Sequence, residues 1–192
     1  MTKLIGPKRI STAVFISGKG TNLKNLIKFS LKQKSPITIK AVISNKSEAK
    51  GLDFAKKYKI EVKIFKFNFK DDKKILDFLK KKQIKLICLA GFMRILSKKF
   101  TQRFKGKILN IHPSLLPKYK GLNTHERVIN NKEKFSGCTV HLVNSKLDSG
   151  KIILQKKVKV FKRDTQNKLA KRILKQEHII YPKAILKLAS NL

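Results

Sequence analysis

Short runs rich in β-branched residues alternate along this chain with longer segments whose apolar residues recur at helical spacing, and that alternation limits the fold more than any other feature. The strand-like runs are residues 10–17, 37–44, 62–67, 85–90, 107–111, 139–143 and 152–160. Between them the spacing predicts helices over 22–33, with Leu23, Leu26, Ile27 and Leu31 on one face, and over 47–58, 72–82, 124–131 and 165–188. Strand and helix in turn imply an α/β fold with an open, mainly parallel twisted sheet and helices on both faces. The fourth run, Lys85-Leu86-Ile87-Cys88-Leu89-Ala90, is nearly all apolar, as a central strand buried on both faces should be. The last two runs are joined by the turn-rich stretch 144–151 with little room for a helix, so an antiparallel C-terminal part is expected. No repeat or linker divides the chain. It reads as one domain, 10–192, after a basic lead-in, 1–9, the best candidate for a loose tail.

A chain of 192 residues, 41% of them hydrophobic, is long and apolar enough to bury a real core, which excludes disorder along its whole length. No window approaches the ~18 uncharged apolar residues of a membrane span, and the first residues lack a cleavable apolar leader. The chain reads as soluble and cytoplasmic, without membrane contact. Its two cysteines, Cys88 and Cys138, lie in apolar surroundings and give little support to a disulfide or a zinc site, so buried thiols and no metal are expected.

The charge is extreme: 47 Lys+Arg against 11 Asp+Glu give +36. Binding of a polyanion by the whole surface is one reading, since basic side chains neutralise phosphates and release counterions. The favoured alternative is compositional. Few of the basic residues are Arg, and the Lys are scattered over every polar face rather than gathered into a stripe with exposed aromatics.

Chemistry collects at strand ends. The first strand runs into Ser17-Gly18-Lys19-Gly20-Thr21-Asn22 and then directly into an amphipathic helix. Glycines allow close backbone approach, and a helix N-terminus offers free N–H groups to an anion, so a phosphate fits. A plain strand–helix turn capped by Thr21 or Asn22 fits equally, because neither the Walker nor the Gly-x-Gly-x-x-Gly pattern is met. The fifth strand leads into Asn110-Ile111-His112-Pro113, which puts an amide and an imidazole on one face at the carboxyl edge where open α/β sheets bind ligands. Such a pair can stabilise an oxyanion and move a proton near neutral pH. Asp148 can orient an imidazole and raise its pKa, or be a turn aspartate. His125 and His141 show no metal-ligand spacing and read as core or surface residues. Met93, Ile95 and Leu96 can line an apolar pocket for a flat heterocycle or pack into the core.

Taken together, SGKGTNL, AVISNKSEAKGL, LAGFMRILS, LNIHPSLLPKYKGLNTH, GCTVHLV, LDSGKIILQKKVKV and QEHIIYP resemble the phosphoribosylglycinamide formyltransferase family, in one order from Ser17 to Pro182. The resemblance implies a Rossmann-like formyltransferase fold. It also implies transfer of the formyl group of 10-formyltetrahydrofolate to phosphoribosylglycinamide in purine synthesis, with no metal. By that resemblance Gly20, Thr21, Asn22 and Pro113 contact the phosphoribosylglycinamide, and Glu177 serves its glycinamide end. Met93, Arg94, Ile95 and Leu96, with Asn110 and the stretch Asn144, Ser145, Lys146, Leu147 and Asp148, hold the folate. Asn110, His112 and Asp148 match the catalytic trio.

Some positions depart from the family pattern. Thr21 stands where Ser is common, and Leu174 where some relatives have a polar contact. An Arg that many members use toward the folate has only Lys70 as a substitute, and a lysine lacks the planar bidentate fork. The terminal strands of longer members are not expected. Methionyl-tRNA formyltransferase shares the Asn-x-His-Pro block but adds a large C-terminal domain and lacks the glycine loop. Formyltetrahydrofolate deformylase adds an N-terminal regulatory domain. A non-catalytic nucleic-acid-binding module is the composition-led rival. The expected partners are thus two small molecules, with no specific nucleic acid, and the sequence leaves monomer and homodimer open.

Overall fold

Seven strands form one sheet in the order β3-β2-β1-β4-β5-β6-β7. The strands are β1 (Ile10–Ile16), β2 (Ile37–Ser44), β3 (Glu61–Ile64), β4 (Leu86–Leu89), β5 (Lys107–His112), β6 (Phe135–Leu142) and β7 (Ile152–Lys159). The helices are α1 (Thr21–Ser30), α2 (Gly51–Lys57), α3 (Asp71–Lys81), α4 (Lys98–Arg103), α5 (Thr124–Asn130) and α6 (Gln166–Ala189). This computed structural model describes residues 9–67 and 71–190. The lead-in 1–8 and Lys70 lie outside the described residues. Arg9, counted with the loose lead-in, is instead tied down: its guanidinium donates to the carbonyls of Ser30, the last residue of α1, at 3.0 Å and of Gln33, just past it, at 2.9 Å.

The first five strands are parallel, and β6 and β7 are antiparallel to their neighbours, so the expected mixed sheet is the one observed. β4 lies between β1 and β5 and is buried along its whole length, which explains its apolar run. Each face of the sheet carries its own core. One joins Val14, Ile16, Leu109 and Val140 to Leu23, Leu26 and Ile27 of α1 and Leu169, Ile173 and Tyr181 of α6. The other joins Phe15, Ile43 and Ile87 to Ile75 and Leu79 of α3 and Phe100 of α4.

Several ends shift by a few residues, and one strand and one helix depart further from the sequence expectation. β6 begins at Phe135 rather than Thr139. Gly137 lies inside this strand, where an added Cβ would meet the Lys156 carbonyl oxygen and Leu115. α4 was not expected at all. Only six residues long, it is set by Ser97, whose hydroxyl accepts the Phe100 N–H as an N-cap.

The order of strands reverses between β1 and β4, which lead to neighbours on opposite sides. Loops leaving the carboxyl ends there open a crevice, the usual ligand position of such sheets. Ser17 at the end of β1 locks this edge. Its N–H donates to the Gly91 carbonyl at 3.1 Å and its hydroxyl donates to Asn45 Oδ1 at 2.6 Å while accepting the Met93 N–H at 2.8 Å.

Candidate active site

The loop from β1 into α1 is shaped by a glycine pair. Gly20 has φ 70°, in the left-handed region that glycine occupies without strain, and a Cβ there would strike the Gly51 backbone. Gly51 in turn donates its N–H to the Gly18 carbonyl at 2.9 Å. Gly20 occupies the N-cap of α1, and no side chain caps the helix. Neither Thr21 nor Asn22 serves as the cap that sequence alone allowed, so the first N–H groups of α1 remain without a side-chain acceptor. Asn22 is buried and turned toward α6, its Nδ2 donating to Glu177 Oε2 at 2.7 Å, while its Oδ1 has no partner. Burial pushes the Glu177 carboxyl above its ordinary pKa, only partly offset by the Asn22 amide. The structure thus brings Glu177 to the glycine loop, 155 residues away in sequence.

The second half of the site forms where β5 meets β6. Asn110 and His112 share a face of β5, and the antiparallel register sets His141 directly opposite Asn110. The loop after β6 then folds back on this pair and delivers Asp148, whose φ of 44° is one an aspartate can hold but few residues favour. Asp148 Oδ2 accepts the Gly121 N–H at 2.9 Å and lies 3.4 Å from His112 Nδ1. Its Oδ1 lies 3.6 Å from His141 Nε2 and 3.4 Å from Asn110 Nδ2. Burial alone would raise the Asp148 pKa, but the hydrogen bond with His141, the Gly121 N–H and the two imidazoles hold it below the ordinary carboxylate value. The carboxylate is therefore charged at neutral pH.

Sequence reasoning assigned His141 to core or surface, whereas it completes this cluster. Its Nδ1 lies 2.8 Å from the Leu142 carbonyl, and its Nε2 faces both Asn110 Nδ2 at 3.2 Å and Asp148 Oδ1 at 3.6 Å. The missing signal was register, since only the β5–β6 pairing reveals that a histidine of the sixth strand faces Asn110.

His112 is 5% exposed, and both of its nitrogens face oxygens. Nε2 donates to the Tyr119 carbonyl at 2.8 Å, and Nδ1 faces Asp148. Asp148 does make this ring more basic, as expected, but it does not set the net direction. Burial pushes the pKa down, and this outweighs the upward pull of the Tyr119 carbonyl and Asp148; His141 and Arg127 push down as well. The net value lies below the ordinary 6.5. His125 is likewise pushed down, by burial and by the nearby His112, and its Nδ1 is buried without a partner.

The stretch after β4 divides. Met93 is 64% and Ile95 75% exposed, whereas Leu96, at 8%, packs in the α3–α4 core and does not line an open pocket. Arg94 is exposed. Leu147 is also exposed and carries apolar surface in the same loop as Asp148. Asn144 Oδ1 accepts the Lys146 N–H at 2.9 Å and its Nδ2 donates to the Ser149 carbonyl at 3.3 Å, which shapes that loop; Ser145 is exposed within it. Pro113 follows His112 directly and is partly exposed. No structural feature distinguishes Leu174, which is half-buried on α6. Among the described residues no group of three His, Cys, Asp or Glu is placed to hold a metal. Cys88 and Cys138 are free and buried, and burial pushes both thiols up to about 12, which keeps them unreactive. No helix among the described residues is long and apolar enough to cross a membrane.

A carboxylate shared by two imidazoles and an amide, beside a helix N-terminus open to an anion, suits acyl transfer to a phosphorylated acceptor. Comparison with known proteins points the same way. The formyl transferase family model matches residues 10–185. The chain is 48% identical over 178 residues to phosphoribosylglycinamide formyltransferase of Haemophilus influenzae, covering 90% of this chain and 84% of that one. It is 44% identical over 189 residues to the human trifunctional purine biosynthetic protein adenosine-3, covering 96% of this chain but only 19% of that much longer protein. The crystal structure of phosphoribosylglycinamide formyltransferase from Anaplasma phagocytophilum superposes with a TM-score of 0.89 at 44% identity, over 96% of this chain and 88% of that one. These relatives carry neither the deformylase nor the methionyl-tRNA name. With its fold, its strand-end cluster and these relatives in agreement, the chain belongs to the phosphoribosylglycinamide formyltransferases, enzymes of the formyl transferase family.

Proposed function

We propose that this enzyme transfers the formyl group of 10-formyltetrahydrofolate to the amine of 5-phosphoribosylglycinamide, giving formylglycinamide ribonucleotide and tetrahydrofolate for purine (IMP) synthesis. The observation that carries the reading is the single carboxylate of Asp148 set between His112, His141 and Asn110. The uncapped start of α1, with Gly20, Thr21 and Asn22, receives the phosphate, and Glu177 beside Asn22 receives the glycinamide end. Pro113 borders the acceptor side. The exposed apolar side chains of Met93, Ile95 and Leu147 fit a flat heterocycle that would cover them. Arg94, Leu96 beneath and the backbone of Asn144, Ser145 and Lys146 complete that rim, with Asn110 and Asp148 at its inner end.

The amine forms a bond to the formyl carbon, and the bond from that carbon to the folate nitrogen breaks. One proton leaves the amine and one reaches the departing nitrogen, so the protein needs to relay a proton but to supply none. Asn110 Nδ2 donates to the oxygen on which negative charge grows. Its present contacts, 3.2 Å to His141 and 3.4 Å to Asp148, are long and yield readily to a better acceptor. His112, neutral at pH 7 because burial lowers its pKa, accepts the amine proton. The cation so formed satisfies both Tyr119 and Asp148, which stabilises it without rearrangement. His141 acts through Asn110 and Asp148 by holding both in place. The setting is the cytoplasm, and the ligands are small molecules rather than a nucleic acid or a membrane.

Mixing phosphoribosylglycinamide with 10-formyl-5,8-dideazafolate should release 5,8-dideazafolate, followed by absorbance. A folded wild-type chain that shows no turnover overturns the assignment.

A further inference from the structure

Asp148 reaches the active site on a loop, and one backbone group holds it more closely than the rest. Its Oδ2 accepts the Gly121 N–H at 2.9 Å, whereas His112 and Asn110 stand at 3.4 Å and His141 at 3.6 Å. That N–H shares a trans peptide plane with the Lys120 carbonyl. In such a plane the C=O and N–H point in opposite directions, so fixing one aims the other. The Lys120 carbonyl is fixed from outside the site. Arg127, exposed on α5, donates from Nη1 to it at 2.7 Å and to the Leu122 carbonyl at 3.4 Å. One guanidinium thus grips the chain on both sides of Gly121. Its positive charge on the carbonyl also polarises the amide and strengthens the N–H at the other end as a donor.

Arg127 is held in turn. Its guanidinium lies 5.2 Å from the centre of the Tyr119 ring, whose hydroxyl donates to Glu133 Oε1 at 2.9 Å and accepts from Asn131 Nδ2 at 3.0 Å. Tyr119 and Asn123, with φ of 57° and 55°, occupy left-handed backbone that side chains seldom favour, so this loop keeps its path only where its surroundings hold it. We propose that Arg127 is a positioning residue for formyl transfer: through the Lys120–Gly121 peptide it holds the Asp148 carboxylate against His112. The role rests on the formyl-transfer reading, in which Asp148 stabilises the His112 cation.

Two variants separate the hydrogen bond from the charge. Arg127→Met removes both, whereas Arg127→Gln removes the charge but keeps an N–H donor on a shorter arm. Arg127→Met should lower kcat about tenfold with KM for either substrate within about twofold, and Arg127→Gln should recover to within about threefold of the wild type. The groups facing His112 are the Tyr119 carbonyl and Asp148, which pull its pKa up, and His141 and Arg127, which push it down; His125 is its other ionisable neighbour. Both variants lose the same charge, so the acid limb of Arg127→Met should lie below that of Arg127→Gln, because a looser Asp148 pulls less on the ring. In NMR of the free protein the Gly121 amide proton should move upfield in Arg127→Met and exchange about tenfold faster, with Arg127→Gln between. Equal kcat in all three proteins, or two variants alike in rate and acid limb, would remove the role. A wild-type chain without turnover would overturn the formyl-transfer reading itself, whereas a Gly121 amide unmoved in Arg127→Met would overturn the Arg127 linkage with that reading intact.

Discussion

A neutral His112 leaves one ring nitrogen's lone pair against an oxygen whichever tautomer it adopts, since Tyr119 and Asp148 face opposite sides of the ring. Burial makes the ring neutral; its neighbours make it welcome a proton. The acid limb of turnover should therefore fall below pH 6.5, the ordinary imidazole value from which burial lowers it. The sign for stability follows. As pH falls through 6.5 the unfolded chain takes up this proton before the folded one, so His112's contribution is complete above 6.5 and is lost on acidification. Asp148→Asn removes an upward influence on His112, so the limb should move to still lower pH while kcat drops about 10²–10⁴-fold. A pH–rate profile of the variant checks both, and a limb that moves upward contradicts the assigned roles. Asn110 and His112 were legible in sequence because period-two alternation is local. His141 was not, because its place depends on which residue of another strand it opposes. Nor could the apolar residues after β4 be sorted: Met93 and Ile95 turn outward and Leu96 inward, by loop geometry that no periodicity records.

Elements impose their own tests. Gly51 opens α2, and a Cβ there would lie 2.7 Å from Ile16 Cδ1 and 2.9 Å from Gly20 Cα. Gly51→Ala should push the glycine loop out of place and raise KM for phosphoribosylglycinamide about tenfold to hundredfold, with a smaller change for the folate. Steady-state kinetics with each substrate varied separates the two. Tyr181, fully buried on α6, donates to the carbonyls of Leu89 at 3.0 Å and Leu109 at 3.2 Å, at the carboxyl ends of β4 and in β5. Tyr181→Phe should lower stability by about 1–2 kcal/mol in denaturant titration, with the fold kept, because it leaves buried carbonyls short of a donor. The strand–helix alternation announced thirteen elements less one. α4 escaped because one short turn with a lone Phe100 inside has no period to detect, and β6 lost its first residues to a glycine whose reason for being there is packing against β7 and Leu115.

For the whole molecule, the few acidic groups are mostly spent internally. Glu61 pairs with Lys82, Asp164 with Arg172, Asp72 with Ser97, Glu133 with Lys118, and Asp148 and Glu177 sit in the active site. What remains outside is a nearly unopposed positive field from a net +36, and both proposed substrates are anions. Raising ionic strength from about 0.01 to 0.15 M shortens the screening length from about 30 to 8 Å, so kcat/KM should fall severalfold while kcat holds. Stopped-flow or steady-state rates across salt decide it; a salt-independent kcat/KM assigns the charge no part in capture. The Ser17 junction has a consequence on another clock. The N–H groups of Ser17 and Met93 lie in two different loops and that of Gly51 at the first residue of α2, positions where amide hydrogens ordinarily exchange with solvent early. Here all three are held, that of Ser17 by the Gly91 carbonyl, that of Met93 by the Ser17 hydroxyl and that of Gly51 by the Gly18 carbonyl. They should exchange slowly and at one common rate, a single opening unit made of two loops and the start of a helix.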